Sequence, residues 1–308
     1  MSGLMAKMRQ IREQHEQFRI SGISGIELQD AQKAGMRKIN RFGVSYFLTF
    51  DTTALLVATF ITIPELHKNN TDEIPVRMFL SIFLYLQIMI NFYMIAVKSK
   101  LDRYPGSGKN GFIPMQTPQN EWKQCKHCLI KTPPRAHHCP ICNTCILKRD
   151  HHCFFVYSCV GFHNQRYFTV MLFYATLAGW YSLYLLRNYL ETYYIDPFSG
   201  NFYRIVVPVA VYDWWVGRIS FGVFLLAMFL YCVIFSALAA TFFLSQQVIF
   251  TVSGRTSYEF QNNITKYSLG PFDNLRTVFG SFGILNFLMP CPWLKSDGDG
   301  MTWKSKGI

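Results

Sequence analysis

The residues best suited to chemistry are cysteines and histidines crowded near the centre of the chain. Seven of the nine cysteines lie within residues 125–159, the Cys-rich segment, and six of the eight histidines lie there or just beyond. The segment contains C-x2-C pairs, a spacing that lets two thiolates reach one tetrahedral ion across a tight turn. Because cysteine is mixed with histidine in short-spaced pairs, the pattern favours structural zinc binding over a disulfide framework.

One cysteine is left over when the ligands are counted. Each tetrahedral zinc needs four ligands, so six cysteines and two histidines would fill two sites. Chemistry points to Cys153 as the spare thiol, because it directly follows Asp150, His151 and His152. On an extended backbone His151 and Cys153 face the same side, so His151 is placed to take the thiol proton and Asp150 to orient the imidazole.

This arrangement requires an extended turn at residues 151–153, since residues i and i+2 do not face each other on a helix. An alternative interpretation makes all four residues zinc ligands or partners that hold those ligands in place. Spacing alone leaves the two interpretations open.

The elements that must position this segment are apolar. Half of the 308 residues are hydrophobic, 17% are aromatic and only 16% are charged, against about 25% charged residues in a typical soluble protein. This composition excludes disorder and coiled coil as the main organisation and argues against a soluble enzyme. The net charge of +12 fits either a membrane protein or a nucleic-acid binder, so the location of the charges decides.

Spans of about 20 apolar residues are needed to cross a bilayer core. Four stretches qualify: residues 43–63, 76–97, 168–186 and 219–243. The first is expected to stop at Pro64, because proline cannot continue a helix. Residues 202–216 are predicted to form an interfacial or loop segment, and the apolar tail at 278–292 a packed or interfacial one.

The basic residues are distributed asymmetrically about these spans. Of the 30 lysines and arginines, 25 lie before the first span, between the second and third, or after the fourth. The positive-inside rule therefore places both termini and the Cys-rich segment in the cytosol. Membrane orientation explains the basic excess, so we expect contact with membrane lipid and no nucleic-acid partner.

The predicted fold is an all-α integral membrane protein with four transmembrane helices and a cytosolic zinc-binding Cys-rich domain between helices 2 and 3. The predicted divisions are a cytosolic N-terminal segment (1–42), transmembrane helices 1 and 2 (43–97), the Cys-rich zinc domain (98–167), transmembrane helices 3 and 4 (168–247) and a cytosolic C-terminal segment (248–308).

Asp51 lies near the middle of the first span. An acid within a membrane is a functional candidate. The alternative is an aspartate hydrogen-bonded by a neighbour such as Thr52 or by a facing helix.

The run Asp150-His151-His152-Cys153 within a Cys-rich loop resembles the DHHC family of protein S-acyltransferases, also called palmitoyltransferases. The match extends to these central residues: Pro134, Arg135, His138, Cys139, Cys142, Cys145, Cys159, Val160, Gly161, Asn164 and Phe168. Weaker similarities are the Thr256-Ser257-Tyr258-Glu259 motif, Asp102-Arg103-Tyr104-Pro105-Gly106, and Tyr267, Gly270, Asn274 and Phe279-Gly280 after the fourth span.

The resemblance implies a ping-pong reaction. Cys153 would attack the thioester of a long-chain acyl-CoA such as palmitoyl-CoA, with His151 as the base and Asp150 orienting it. The acyl group would then pass to cysteine thiols of protein substrates at the cytosolic membrane face. The resemblance also implies two structural zinc ions, one held by Cys125, Cys128, His138 and Cys145, the other by Cys139, Cys142, His152 and Cys159.

Two positions depart from the family pattern. The family usually has Pro-Trp after the catalytic cysteine, where this chain has Phe154-Phe155, and Asn before the last cysteine, where it has Ser158. Phe155 can fill the space of an indole without supplying its N–H donor. Aromatic residues of the third span, Phe173, Tyr174, Trp180 and Tyr181, are candidates to line an acyl cavity, although residues at this helical spacing are more often part of ordinary packing.

An alternative from another class is a catalytically silent zinc-bearing membrane scaffold, which needs the eight zinc ligands but not Cys153. A zinc-dependent channel fits poorly, because filled Cys/His sites hold their ions too tightly for flux. Cys232, in the fourth span, is expected to be a small buried apolar residue, and Cys291 has no assigned role.

Lys304 and Lys306, third and fifth from the end, resemble a dilysine retrieval signal and predict the endoplasmic reticulum or Golgi. Asn69 and Asn263 begin glycosylation sequons on the predicted lumenal and cytosolic sides.

Overall fold

The computed structural model describes residues 34–104, 122–281, 283, 285 and 296–305. Several predictions concern residues outside these ranges: the segment before residue 34, Pro105 and Gly106 of the motif that begins at Asp102, most of the apolar tail, Cys291 and Lys306.

Within the described residues, four helices are long and apolar enough to cross a membrane: α1 (Ala34–Leu66), α2 (Glu73–Lys98), α3 (Gln165–Tyr193) and α5 (Phe221–Ser253). Each coincides with one of the four predicted spans. Three shorter helices are α4 (Val207–Trp215), α6 (Ser257–Gln261) and α7 (Pro271–Phe279).

The sequence predicts that the first long helix stops at Pro64, but the helix continues past that residue. A π-helical stretch, Ala58–Thr62, precedes the proline, and the chain then returns to α-helix over Ile63–Leu66. A proline inside an α-helix removes one hydrogen bond and clashes with the carbonyl one turn earlier. The wider π turn provides a local change of spacing at that point, and the helix continues to Leu66.

Helix α3 is central in the bundle and packs against both α2 and α5. Its contact with α5 is close at Gly179, where an added Cβ would lie 3.0 Å from both the Cα and the Cβ of Ala237. Two small residues therefore let the two backbones approach, as is common between helices in membranes. One apolar cluster fills the space between α2, α3 and Cys153, and a second lies between α3 and α5.

The Cys-rich segment and the residues that flank it form three short antiparallel hairpins. They pair β1 (Lys123–Gln124) with β2 (Lys131–Thr132), β3 (His137–Cys139) with β4 (Thr144–Ile146), and β5 (His151–Cys153) with β6 (Ser158–Val160). The all-α prediction was therefore too simple, and the chain is mostly helical. Strands of two or three residues bury little apolar surface, so such hairpins depend on other cross-links, which metal ions can supply.

Residues 202–216 form no fifth long helix. A 3-10 turn, Phe202–Ile205, leads into α4, whose nine residues extend only about 14 Å, less than half of a bilayer core. The carboxylate of Asp213 is buried and accepts hydrogen bonds from Arg204, Arg218 and Tyr194 at 2.9–3.1 Å. These contacts fix the connection between α3 and α5.

The C-terminal residues return to the Cys-rich segment. Met301 and Trp303 pack against a small cluster that contains Tyr104, Leu147 and Phe162. The Trp303 ring also lies 4.4 Å from the guanidinium carbon of Arg135. The hairpins thus gain part of their apolar cover from a segment more than 130 residues away in the sequence.

Candidate active site and metal centres

The structure gathers eight cysteine and histidine side chains into two groups of four. The first cluster is Cys125, Cys128, His138 and Cys145, and the second cluster is Cys139, Cys142, His152 and Cys159. Within each cluster the possible ligand atoms all lie within 4.8 Å of one another. These are the same two sets that the family resemblance implied.

The spacing of the donor atoms can be compared with that around a tetrahedral zinc ion. Zn–S bonds of about 2.3 Å and Zn–N bonds of about 2.0 Å separate neighbouring donors by roughly 3.5–3.8 Å. In the first cluster Cys128 Sγ lies 3.3 Å from His138 Nδ1 and 3.8 Å from Cys145 Sγ. In the second, the sulfurs of Cys142 and Cys159 are 3.7 Å apart. Both clusters therefore fit a four-coordinate zinc ion with no position left for a substrate.

The register of the hairpins explains how the two clusters interleave. His138 and Cys145 are directly opposed on β3 and β4 and belong to the first cluster. The next residue of β3, Cys139, points to the other face and belongs to the second cluster, because side chains alternate along a strand. On the third hairpin His152 opposes Cys159, and both belong to the second cluster.

The second cluster is tied to the first long helix. His152 directs Nδ1 toward the three sulfurs of its cluster, and its Nε2 lies 3.1 Å from Oδ1 of the buried Asn40 on α1. A hydrogen bond of this kind fixes the orientation of a metal-binding imidazole. Next along the helix, Gly43 allows close contact, since an added Cβ would lie 2.8 Å from the Phe154 carbonyl oxygen.

His151 and Cys153 lie on β5, so the predicted extended backbone is confirmed. His151 Nδ1 lies 2.9 Å from Asp150 Oδ2, and the ring also interacts with the Cys153 thiol. Burial opposes the charged imidazolium, but the hydrogen bonds to Asp150 and Cys153 outweigh it and raise the pKa of His151 to about 9. The side chain of His152 faces the other way, into the second cluster.

The buried carboxylate of Asp150 accepts hydrogen bonds from three donors. Oδ2 accepts hydrogen bonds from His151 and from Gln247 Nε2 at 2.8 Å, and Oδ1 accepts one from the Ser257 backbone N–H at 2.5 Å. Burial acts to raise the pKa of Asp150, but His151, Ser257 and Gln247 together lower it below its ordinary value. Asp150 is thus held as the anion that orients His151.

Gln247 and Asn40 are the two members of this site that sequence reasoning missed. Gln247 lies on α5, 97 residues from Asp150, and Asn40 lies on α1, 112 residues from His152. A polar residue near the end of an apolar span was the available signal, although it did not identify the partner.

The Thr256–Glu259 motif forms a capping box at the start of α6. Glu259 also accepts two hydrogen bonds of 2.7 Å from the guanidinium of Arg135, with both side chains almost fully buried. Ser257, which replaces the second threonine of the family motif, donates its Oγ to the Asp150 carbonyl at 2.7 Å. The motif therefore joins the C-terminal end of α5 to the segment that carries Cys153.

Cys153 lines an apolar cavity of about 310 Å³ whose other walls come largely from the four long helices. The side chain is 7% exposed, and Phe154 and Phe155 line the same cavity. Of the aromatic residues suggested for the third span, Tyr181 lines this cavity, whereas Phe173 packs in the neighbouring core. Cys232 is exposed on the surface of α5, so the expectation that it is buried was wrong.

A second, more polar cavity of about 710 Å³ lies under the C-terminal residues and is bordered by Arg135, Lys148 and Trp303. Its most buried cations are already engaged, because Arg135 pairs with Glu259 and Lys148 donates to Gln165 at 2.8 Å. Burial lowers the pKa of Lys148 to about 7. Cys153 does not line this cavity, so its thiol belongs to the apolar one.

Comparison with known proteins gives a consistent result. The family model described as DHHC palmitoyltransferase matches residues 118–264. The chain is 26% identical to Palmitoyltransferase ZDHHC22 of Danio rerio, covering 85% of this chain and 94% of that protein. It is 31% identical to Probable palmitoyltransferase ZDHHC24 of Homo sapiens over 60% of this chain and 64% of that protein. A shorter match, 46% identical over 66 residues, is to Probable protein S-acyltransferase 15 of Arabidopsis thaliana, covering 21% of this chain and 26% of that protein.

Proposed function

The chain belongs to the DHHC family of protein S-acyltransferases, and from that premise we propose that Cys153 carries the acyl group between acyl-CoA and protein substrates. The observation that carries the proposal is the position of this thiol. It lies beside a histidine held by a buried aspartate, and it lines an apolar cavity among the four long helices.

In the first half-reaction the Cys153 thiol gives its proton to His151, whose Nδ1 is engaged by Asp150 and whose Nε2 remains for the thiol. The thiolate attacks the carbonyl carbon of the acyl-CoA thioester, and the resulting tetrahedral intermediate collapses. The C–S bond to CoA breaks, and the leaving CoA thiolate takes the proton from His151. The products are acyl-Cys153 and free CoA.

In the second half-reaction a cysteine thiol of a protein substrate gives its proton to His151 and attacks the acyl-Cys153 carbonyl. The bond to Cys153 breaks, and the Cys153 thiolate takes the proton back. Asp150 stays ionised throughout and stabilises the imidazolium. Its three hydrogen-bond donors support that role.

The apolar cavity supplies a place for the acyl chain. Each CH2 group removed from water contributes about 0.8 kcal/mol, so a long chain would be retained while its thioester lies at Cys153. Phe155 lines this cavity where the family usually has tryptophan. It supplies apolar surface without an N–H donor, and acyl-chain choice is expected to reflect that difference.

Two zinc ions, one in each cluster, would stabilise the hairpins without entering the reaction. Because both donor sets are complete, zinc here would supply folding free energy and fix β5. With four crossings, the distribution of basic residues supports a topology in which both termini and the Cys-rich domain, 98–167, face the cytosol. The same proposal divides the chain into cytosolic and membrane-spanning segments after residues 42, 97, 167 and 247.

The deciding experiment is labelling of the purified protein with radiolabelled palmitoyl-CoA. We expect one hydroxylamine-sensitive label per chain in the native protein and in the Cys232→Ser variant. The Cys153→Ser variant should keep two zinc ions and lose that label. If Cys153→Ser labels as well as the native protein through a hydroxylamine-sensitive bond, the assignment of Cys153 is wrong.

The topology and location have separate tests. Asn263 should remain without glycan when the protein is made in microsomes, because it lies on the cytosolic side of the proposed topology. A glycan on Asn263 would overturn that topology. Substituting both Lys304 and Lys306 with alanine should move the protein from the endoplasmic reticulum and Golgi to the cell surface, and an unchanged distribution would contradict the retrieval signal.

A further inference from the structure

A carboxyl group lines the apolar cavity that holds Cys153. Asp51, at the middle of α1, is among the lining residues, together with apolar side chains such as Phe50, Ala54 and Leu55. The catalytic site described above makes no use of this residue. A carboxyl group at such a position costs free energy unless its oxygens find hydrogen-bond partners.

Asp51 Oδ2 is buried and has no hydrogen-bond partner among the described residues. Thr52, one of the neighbours that could have held it, instead forms a hydrogen bond of 3.2 Å with the Tyr85 hydroxyl. The Tyr46 hydroxyl is 3.1 Å from Ser236 Oγ, and Ser81 Oγ donates to the Arg77 carbonyl. These hydroxyl groups already have partners, so the open acceptor on Asp51 remains for whatever occupies the cavity.

The depth of Asp51 corresponds to the middle of a long acyl chain. Gly43 marks the level of the catalytic turn on α1, because it touches the Phe154 backbone next to Cys153. Asp51 is eight residues further along the same helix, a rise of about 12 Å. The cavity continues beyond it to Ala58. A chain attached to Cys153 would therefore pass Asp51 before it ends.

We propose that Asp51 recognises a hydroxyl group in the middle of the acyl chain, so that this cavity takes mid-chain hydroxylated fatty acyl groups in preference to chains without a hydroxyl group. A hydroxyl at that depth donates to the carboxyl oxygen, whereas a chain without a hydroxyl group leaves the oxygen unpaired. This inference rests on the proposed function, because it requires the acyl chain of acyl-Cys153 to occupy the cavity.

The test is competition between acyl donors. Purified full-length protein is given equal amounts of palmitoyl-CoA and of hexadecanoyl-CoA bearing one hydroxyl near mid-chain, and acyl-Cys153 is measured by mass spectrometry. We expect the hydroxylated chain to exceed palmitate on the native protein. Asp51→Leu should lower the ratio of the hydroxylated chain to palmitate about tenfold, and Asp51→Asn should retain most of the preference for the hydroxylated chain.

Two controls make the result specific. An isomer hydroxylated next to the thioester should show no dependence on residue 51, because its hydroxyl lies near Cys153. The Cys232→Ser variant, changed on the exposed surface of α5, should match the native ratio. A ratio that is equal in the native protein and Asp51→Leu would overturn the inference while leaving acyl transfer intact. Absence of acyl-Cys153 from every donor would overturn the proposed function as well.

Discussion

Both clusters pack against apolar side chains, but only the second takes one of its ligands from β5, the strand that carries Cys153. Around the first cluster, Tyr104, Leu147 and Phe162 are buried, and Trp122 and Trp303 pack on them. Around the second, His152 contacts Asn40 of α1 and belongs to the same strand as His151. The donor sets are identical in type. We infer that a zinc ion in the first cluster would stabilise the hairpins, and that one in the second would position the Cys153 thiol.

Removing one ligand from each cluster should separate these two roles. Cys159 lies opposite His152 on the third hairpin. Cys159→Ala should therefore abolish acylation of Cys153, because the second cluster would no longer hold β5 through a bound metal ion. Cys125→Ala should lower acylation about tenfold, since the apolar core of the first cluster remains. Both variants should retain about one zinc ion per chain by elemental analysis. Equal loss of acylation in the two variants would refute the proposed division of roles.

The buried pair of Arg135 and Glu259 belongs to the region of the first cluster and should matter mainly for stability. Arg135→Leu leaves Glu259 buried without its partner, which costs about 3–5 kcal/mol. We expect a clearly lower unfolding temperature and a smaller change in acylation per folded molecule. Adding Glu259→Gln removes the buried charge and keeps the capping acceptor, so the double variant should recover part of the loss. A double variant no more stable than Arg135→Leu would contradict this explanation.

Gln247 tests the other side of the comparison, because it donates a hydrogen bond to Asp150 and belongs to neither cluster. Gln247→Leu removes the amide that donates to Asp150 Oδ2 at 2.8 Å. A hydrogen bond to a charged group is worth about 1.5–3 kcal/mol, so acylation of Cys153 should fall by about tenfold or more with both zinc ions retained. Gln246→Leu, one position away on α5, is the matched control. Loss of zinc from Gln247→Leu would mean that its effect is structural.

Sequence reasoning predicted the long helices and the composition of both clusters, and it placed His151 and Cys153 on one side of an extended turn. Those features depend on local period, on ligand spacing and on the family motif. It did not predict Asn40, Gln247 or the packing of Trp303, because each meets a partner far along the chain, and only the packed fold determines that meeting. Asp51 was noticed for its type, but its relation to the cavity required the positions of the four long helices.

Asn40 gives the smallest expected effect and the sharpest test of how α1 acts on the second cluster. Its Oδ1 accepts from His152 Nε2 at 3.1 Å, and partners of this kind typically change metal affinity by about 10–100-fold. Asn40→Ala should therefore speed the loss of one zinc ion to a chelator by about tenfold and leave the other unchanged, with acylation falling only as that zinc is lost. Asn40→Asp keeps the acceptor and should restore retention. If Asn40→Ala releases both ions at the same rate, α1 stabilises the whole Cys-rich segment rather than the second cluster.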